Sequence, residues 1–176
     1  MISKILMVLI NILLVASFLP CDAHCQGWPV TKIESLPDSS FALVERGKDG
    51  KKIRHLPFKD INGAIDIEQL IYCIGTFSDE TWLDSESREG ARKKLEEHYY
   101  RFKVNQAKEG IEHPVNINSA GLEDLVKLPN IGPVTAVKIC RFRENQGPFK
   151  QIEDIKKVEG IGPSIFTGIM HYIRVR

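Results

Sequence analysis

The chain has 176 residues, 43% hydrophobic and 27% charged, with a formal net charge of +1, which suits one globular domain or two small ones. That balance excludes the strongly basic footprint of a dedicated nucleic-acid binder. The total conceals a bias, because residues 115–176 carry nine Lys/Arg against six Asp/Glu while residues 26–114 carry fourteen against sixteen, placing the positive part at the C-terminal end.

Met1-Ile2-Ser3-Lys4 and the apolar run at residues 5–19 have the basic head and apolar centre of a secretory signal. The run is fifteen residues long, short for a bilayer-spanning helix. A signal peptide over residues 1–25 is expected, with cleavage after Ala23 or Cys25. The protein is then exported, periplasmic or secreted, with no membrane span in the mature chain; left uncleaved, the segment makes an N-terminal anchor. Cys21 and Cys25 fall in or beside the signal. That leaves Cys73 and Cys140, expected as two separate core thiols, although an oxidising compartment would permit their pairing.

Residues 26–104 predict a small α+β region. Phe41-Ala42-Leu43-Val44-Glu45 and Ile53-Arg54-His55-Leu56 read as strands joined by a turn at Gly47-Lys48-Asp49-Gly50. Such a hairpin needs something to pack on. Two helices follow, one with Ile67, Leu70, Ile71 and Ile74 on one face and an end at Gly75, the other with Ala91, Leu95, Tyr99 and Phe102 on one face. Trp82 is expected to fill the joint between them.

Three features of this region invite functional readings. Residues 60–66 look like the centre of a calcium loop, but that alignment puts Phe58 at the first ligand position and Gln69 at the twelfth, so a turn capping the helix after Asp66 is the better reading. His55 with Asp60 and Asn62 suggests a metal-dependent nuclease without supplying a second ligand set. Arg88, Arg92, Lys93 and Lys94 are interleaved with Glu86, Glu89, Glu96 and Glu97, the pattern of a solvated helix face. No cofactor or metal is expected. Residues 105–114 are polar, contain Gly110, and read as a linker.

Residues 115–176 repeat themselves. Leu125-Val126-Lys127-Leu128-Pro129-Asn130-Ile131-Gly132-Pro133 is echoed thirty positions later by Ile155-Lys156-Lys157-Val158-Glu159-Gly160-Ile161-Gly162-Pro163. Each copy passes through a Gly-Pro turn into a segment with apolar residues at helical spacing, predicting two helix-turn-helix units packed as one. Gly132 and Gly162 are expected to supply positive φ and close approach to the main chain. Pro133 and Pro163 suit the first helical position. Each helix start then presents unsatisfied N–H groups and the positive end of its dipole, a seat for phosphate. The predicted contacts are Asn130, Gly132, Val134, Thr135, Gly160, Gly162, Ser164 and Ile165 at the turns, with Lys138, Arg141 and Lys150 adding charge nearby. Ile131 and Ile161 are expected to plug the space between the paired helices.

Four blocks, Val115-Asn116-Ile117-Asn118-Ser119-Ala120, Leu128-Pro129-Asn130-Ile131-Gly132-Pro133, Arg143-Glu144-Asn145-Gln146-Gly147-Pro148-Phe149 and Val158-Glu159-Gly160-Ile161-Gly162, resemble the tandem helix-hairpin-helix domain of ComEA-type competence proteins. The resemblance covers the last third of the chain. It implies an exported protein that binds double-stranded DNA without sequence preference, across the minor groove, in DNA uptake. Asn130 replaces the family's usual glycine, and Val134-Thr135 and Ser164-Ile165 stand where it often carries lysine, implying weaker binding. A mainly α fold, α+β overall, is expected. The leading function is non-enzymatic DNA binding with duplex DNA as partner, and possible partners also include envelope DNA-uptake or secretion proteins. The alternatives are a protein-interaction module of an envelope or secretion complex and a secreted metal-dependent nuclease.

Overall fold

The computed structural model describes residues 27–106, 110, 111 and 113–176. The expected signal segment, and residues 107–109 and 112 of the expected linker, lie outside the described residues. Strand-forming residues flanking a Gly/Asp turn give an antiparallel hairpin of β1 (Phe41–Arg46) and β2 (Lys52–Pro57), with Phe41 opposite Pro57 and Leu43 opposite His55. A short helix α1 (Val30–Glu34) and a 3-10 turn at Asp38–Ser40 lead into it.

The Asp60 loop is a turn, as its ligand mismatch predicts. The Asp60 carboxylate accepts from the N–H groups of Asn62 and Ala64, each at 2.8 Å, and Asp66 caps α2 (Ile67–Gly75) by accepting from the Gln69 N–H at 2.9 Å. The long helix α3 (Ser85–Gln106) then lies across the hairpin and α2. Its Ala91 and Leu95 are buried with Ala42, Leu56, Phe58, Leu70, Cys73 and Phe77, making the first of two cores. Trp82 fills the joint as expected, stacked between His55 at 4.4 Å and Phe77 at 5.2 Å.

The second core belongs to the repeat. β3 (Val115–Asn116) pairs in parallel with β4 (Ile173–Arg174), tying the start of the repeat to its end. Between them run α4 (Leu122–Leu125), α5 (Pro133–Gln146), a 3-10 helix at Ile152–Lys157 and α6 (Pro163–Ile169). Ile117, Leu122, Leu125, Val126, Ile139, Ile155 and Ile169 are fully buried there, and Ile131 and Ile161 are buried as the plug residues they were expected to be. Asn118 explains the first motif block: its Oδ1 accepts from the Phe149 N–H, and its Nδ2 donates to the carbonyls of Phe149 and Val175. One amide side chain thus holds three segments of the module together.

The two cores meet on α2. Ile71 points into the second core, with Ile67, Tyr99 and Phe102 packed at its edge. The Glu68 carboxylate accepts from the N–H groups of Leu122 and Glu123 at 2.8 and 3.0 Å, capping α4, whose own cap position, Gly121, has no side chain to offer. Lys103 donates to the Val126 carbonyl at 2.8 Å, and its partial burial lowers its pKa.

Two expectations are corrected. Gly132 and Gly162 are extended, with φ of −95° and −83°; the left-handed corners are Asn130 and Gly160, two residues earlier. Cys73 is a free buried thiol, but Cys140 is disulfide-bonded and is not the second core thiol anticipated.

Candidate nucleic-acid interface

Each hairpin turn is built by the same local bonds. After α4, the Ile131 N–H donates to the Leu128 carbonyl at 3.2 Å; after the 3-10 helix, Ile161 donates to Val158 at 3.0 Å. The chain reverses at the left-handed residue, Asn130 with φ 60° or Gly160 with φ 94°. The apolar residue that follows, Ile131 or Ile161, is drawn into the core, and an extended glycine then delivers the chain to a proline at the first helical position. The turn therefore fixes the direction in which α5 and α6 begin.

These two helix starts share a property. Gly132 and Gly162 are their N-caps, and neither supplies a side-chain acceptor. Three helices packed beside them are closed at this end, α2 by Asp66, α4 by Glu68, and the 3-10 helix at Ile152–Lys157 by a reciprocal Gln151–Asp154 capping box, while α1 is not. The first-turn N–H groups of α5 and α6, including those of Val134, Thr135, Ser164 and Ile165, have no intrahelical acceptor and face the positive end of the helix dipole. Space is open above all three corner glycines: beyond its chain neighbours, a Cβ built on Gly132, Gly160 or Gly162 would meet no atom within 4 Å.

The two hairpins differ in exposure. Asn130, Val134, Gly160, Gly162 and Ser164 are exposed, whereas Gly132, Thr135 and Ile165 are half-buried. The first corner is partly flanked by α2, since Gly75 lies against Pro133 and Val137. The second corner is the freer of the two.

Charge at the corners is modest. Lys138, on α5, pairs with Glu159 in the second turn at 3.1 Å, and Arg141 pairs with Asp79 at 3.0 Å. The Asp79 carboxylate raises the Arg141 pKa still further, so that guanidinium stays charged but is drawn toward the preceding region. Lys150 is exposed. Lys127 and Lys157 pair with Asp124 and Asp154, close in sequence, in keeping with a solubilising role. The turns themselves are visible in the sequence, whereas Glu159 and Asp79 as partners are not, because both pairs join segments distant in the chain. The cross-pairing has a structural meaning: Lys138 of α5 meets the second turn, while Asn130 of the first turn lies 4.0 Å from the Cβ position of Gly168 on α6. Each turn abuts the other unit's second helix, as in a two-fold arrangement.

The nuclease constellation is not assembled. His55 is buried, with Nε2 at 2.8 Å from Glu45 and Nδ1 at 3.0 Å from Glu80, while the Asp60 carboxylate closes its own turn. Glu45 also accepts from the Leu83 N–H. This buried cluster joins the β-hairpin to the segment before α3.

Residues 111–174 match the family model described as helix-hairpin-helix motif. This C-terminal part is similar to ComE operon protein 1 of Bacillus subtilis (strain 168), with 47% identity over 62 residues, 35% of this chain and 30% of that protein. It is also similar to endonuclease/exonuclease/phosphatase family domain-containing protein 1 of Xenopus laevis, 36% over 62 residues, covering 35% of this chain and 11% of that one. Kinesin-like protein KIF22 of Danio rerio is 39% identical over 54 residues, 31% of this chain and 8% of its own length. The matched stretch thus spans no more than 30% of these relatives. No solved structure matches.

Proposed function

We propose, from the helix-hairpin-helix module at residues 111–174, that this chain is an exported, non-enzymatic binder of double-stranded DNA that grips the sugar-phosphate backbone without reading bases. The observation that carries this reading is the pair of uncapped helix starts at open Gly-Pro corners, repeated thirty positions apart, whereas α4 and the 3-10 helix that precede them in the same module are capped by side chains. Amide N–H groups left free in this way donate to phosphate oxygens and leave base edges untouched. Support for export comes from the disulfide at Cys140, a bond that persists in oxidising compartments. A role in DNA uptake is in keeping with the similarity to ComE operon protein 1.

One observation favours a second reading, a protein-interaction module of an envelope complex: Lys138 and Arg141 are both occupied by carboxylates, which lowers the charge offered to DNA. Gel-shift with random-sequence duplex over a series of salt concentrations separates the two. DNA binding gives an affinity that falls steeply as salt rises and that Gly132→Glu with Gly162→Glu abolishes. No retention at low salt defeats it.

A further inference from the structure

The two residues that follow the first corner, Val134 and Thr135, are uncharged, and Lys138 and Arg141, one and two turns further along α5, are in ion pairs. Positive charge nevertheless reaches this corner from outside the module. Arg88 and Arg92 stand one turn apart on α3, about 6 Å along its axis. Both guanidinium groups lie over the ring of Phe77, at 5.9 and 5.2 Å from its centroid. Both residues are exposed, and neither has an ion pair among the described residues. With Ile74, Phe77, Glu96 and Val134 they line one cavity of about 220 Å³. Val134 belongs to the first turn of α5, so the arginines share a cavity with the helix start of the first hairpin.

The contact is held rigidly. Gly75, at the end of α2, packs so close to α5 that a Cβ there would stand 2.5 Å from Val137 Cγ2 and 2.8 Å from the Pro133 carbonyl oxygen. Phe77, which carries the two guanidinium groups, follows two residues later. Phe77, the ring over which the two guanidinium groups lie, is thereby positioned close to the hairpin. Lying over the Phe77 ring leaves their N–H forks free for bidentate bonds to phosphate.

We propose that Arg88 and Arg92 extend the DNA contact beyond the helix-hairpin-helix module, binding phosphates on the strand that passes over the first hairpin. The preceding region is then part of the DNA-binding surface. Arg88 and Arg92 outnumber Glu96 among the charged residues that line the cavity, and Glu89 beside Arg88 offsets the remaining excess, so the pair suits two phosphates of a polyanion, each met by one guanidinium, more than a single anion held by net charge. The assignment rests on the duplex-binding reading given above, and its test separates the two.

The experiment measures binding of the full chain to a random 30-base-pair duplex over a salt series, for the unaltered protein, Arg88→Ala with Arg92→Ala, Arg88→Lys with Arg92→Lys, and a charge-matched control, Lys48→Ala with Lys51→Ala in the exposed β-turn. Loss of two phosphate contacts lowers the salt slope by about 1.8 and weakens binding at 0.1 M salt by as much as about 60-fold. The lysine pair restores most of the slope, and the β-turn control changes neither quantity. An alanine pair that binds within about twofold of the unaltered chain with the same slope, while Gly132→Glu with Gly162→Glu abolishes binding, overturns this assignment and leaves the hairpin reading standing. A weakening matched by the β-turn control reduces the effect to net charge and also overturns it. An unaltered chain that fails to bind at low salt overturns both readings.

Discussion

Asn130 and Gly160 stand thirty positions apart and form the same corner of two hairpins, both in the left-handed region with φ of 60° and 94°. Most L-residues lose about 1–2 kcal/mol there, and asparagine is among the few that tolerate it. Asn130→Gly should therefore be neutral or raise stability by up to about 1 kcal/mol, and Gly160→Val should lower it by about 1–2 kcal/mol. Urea unfolding measures both. An Asn130→Gly protein clearly less stable than its parent would mean that the Asn130 side chain holds the corner by a contact the backbone argument omits.

The joint between the two cores gives a second prediction. Gly75 has no room for a Cβ against Val137 and the Pro133 carbonyl. Gly75→Val should lower stability by about 1–3 kcal/mol, the usual cost of overpacking, and disturb the amide signals of both Pro133-flanking residues and α2. Signals that change only in α2 would show that the two parts do not share this contact in solution.

Glu68 offers a third. Its carboxylate caps α4 across the joint by accepting from Leu122 and Glu123. Glu68→Ala removes an N-cap acceptor, expected to cost about 1–2 kcal/mol, and should speed hydrogen exchange at those two amides. Unchanged exchange there would place the cap elsewhere.

The fourth concerns pH. Hydrogen bonding to Lys157, and then to the backbone N–H groups of Gln151 and Lys150, holds the Asp154 carboxyl at about 2, below its ordinary 3.8. A depressed carboxyl contributes stability that is present above its unfolded value and is lost as pH falls through the folded one. The stability difference between the unaltered protein and Asp154→Asn should therefore shrink as pH is lowered from about 4 to about 2. A difference that stays constant over that window would remove Asp154 from the acid response.

The repeat was legible because its signals are local: a proline that starts a helix, a glycine or asparagine that turns a corner, and apolar residues at helical spacing. The β-hairpin and the Asp66 cap were legible for the same reason. Two errors arose where one short motif admits two assignments of conformation or pairing. Ile-Gly-Pro does not reveal which residue takes positive φ, and it is Asn130 and Gly160 that do so while Gly132 and Gly162 run extended. Cysteine spacing likewise did not reveal the bond at Cys140. Contacts between distant segments were invisible altogether. Arg88 and Arg92 read as part of a solvated helix face, and only the packing of Gly75 on α5 brings them beside the first hairpin. Glu68 likewise caps a helix more than fifty positions away, a contact with no local sequence signal.

The central claim is that main-chain amides at two corners receive the phosphates. Amide correlation spectra of the ¹⁵N-labelled protein, recorded while short duplex is added at low salt, test it most directly. The account predicts that the signals of Val134, Thr135, Ser164 and Ile165 move together and furthest, and return as salt is raised. Signals at these four positions that stay in place while others shift, or that stay in place altogether, would contradict it.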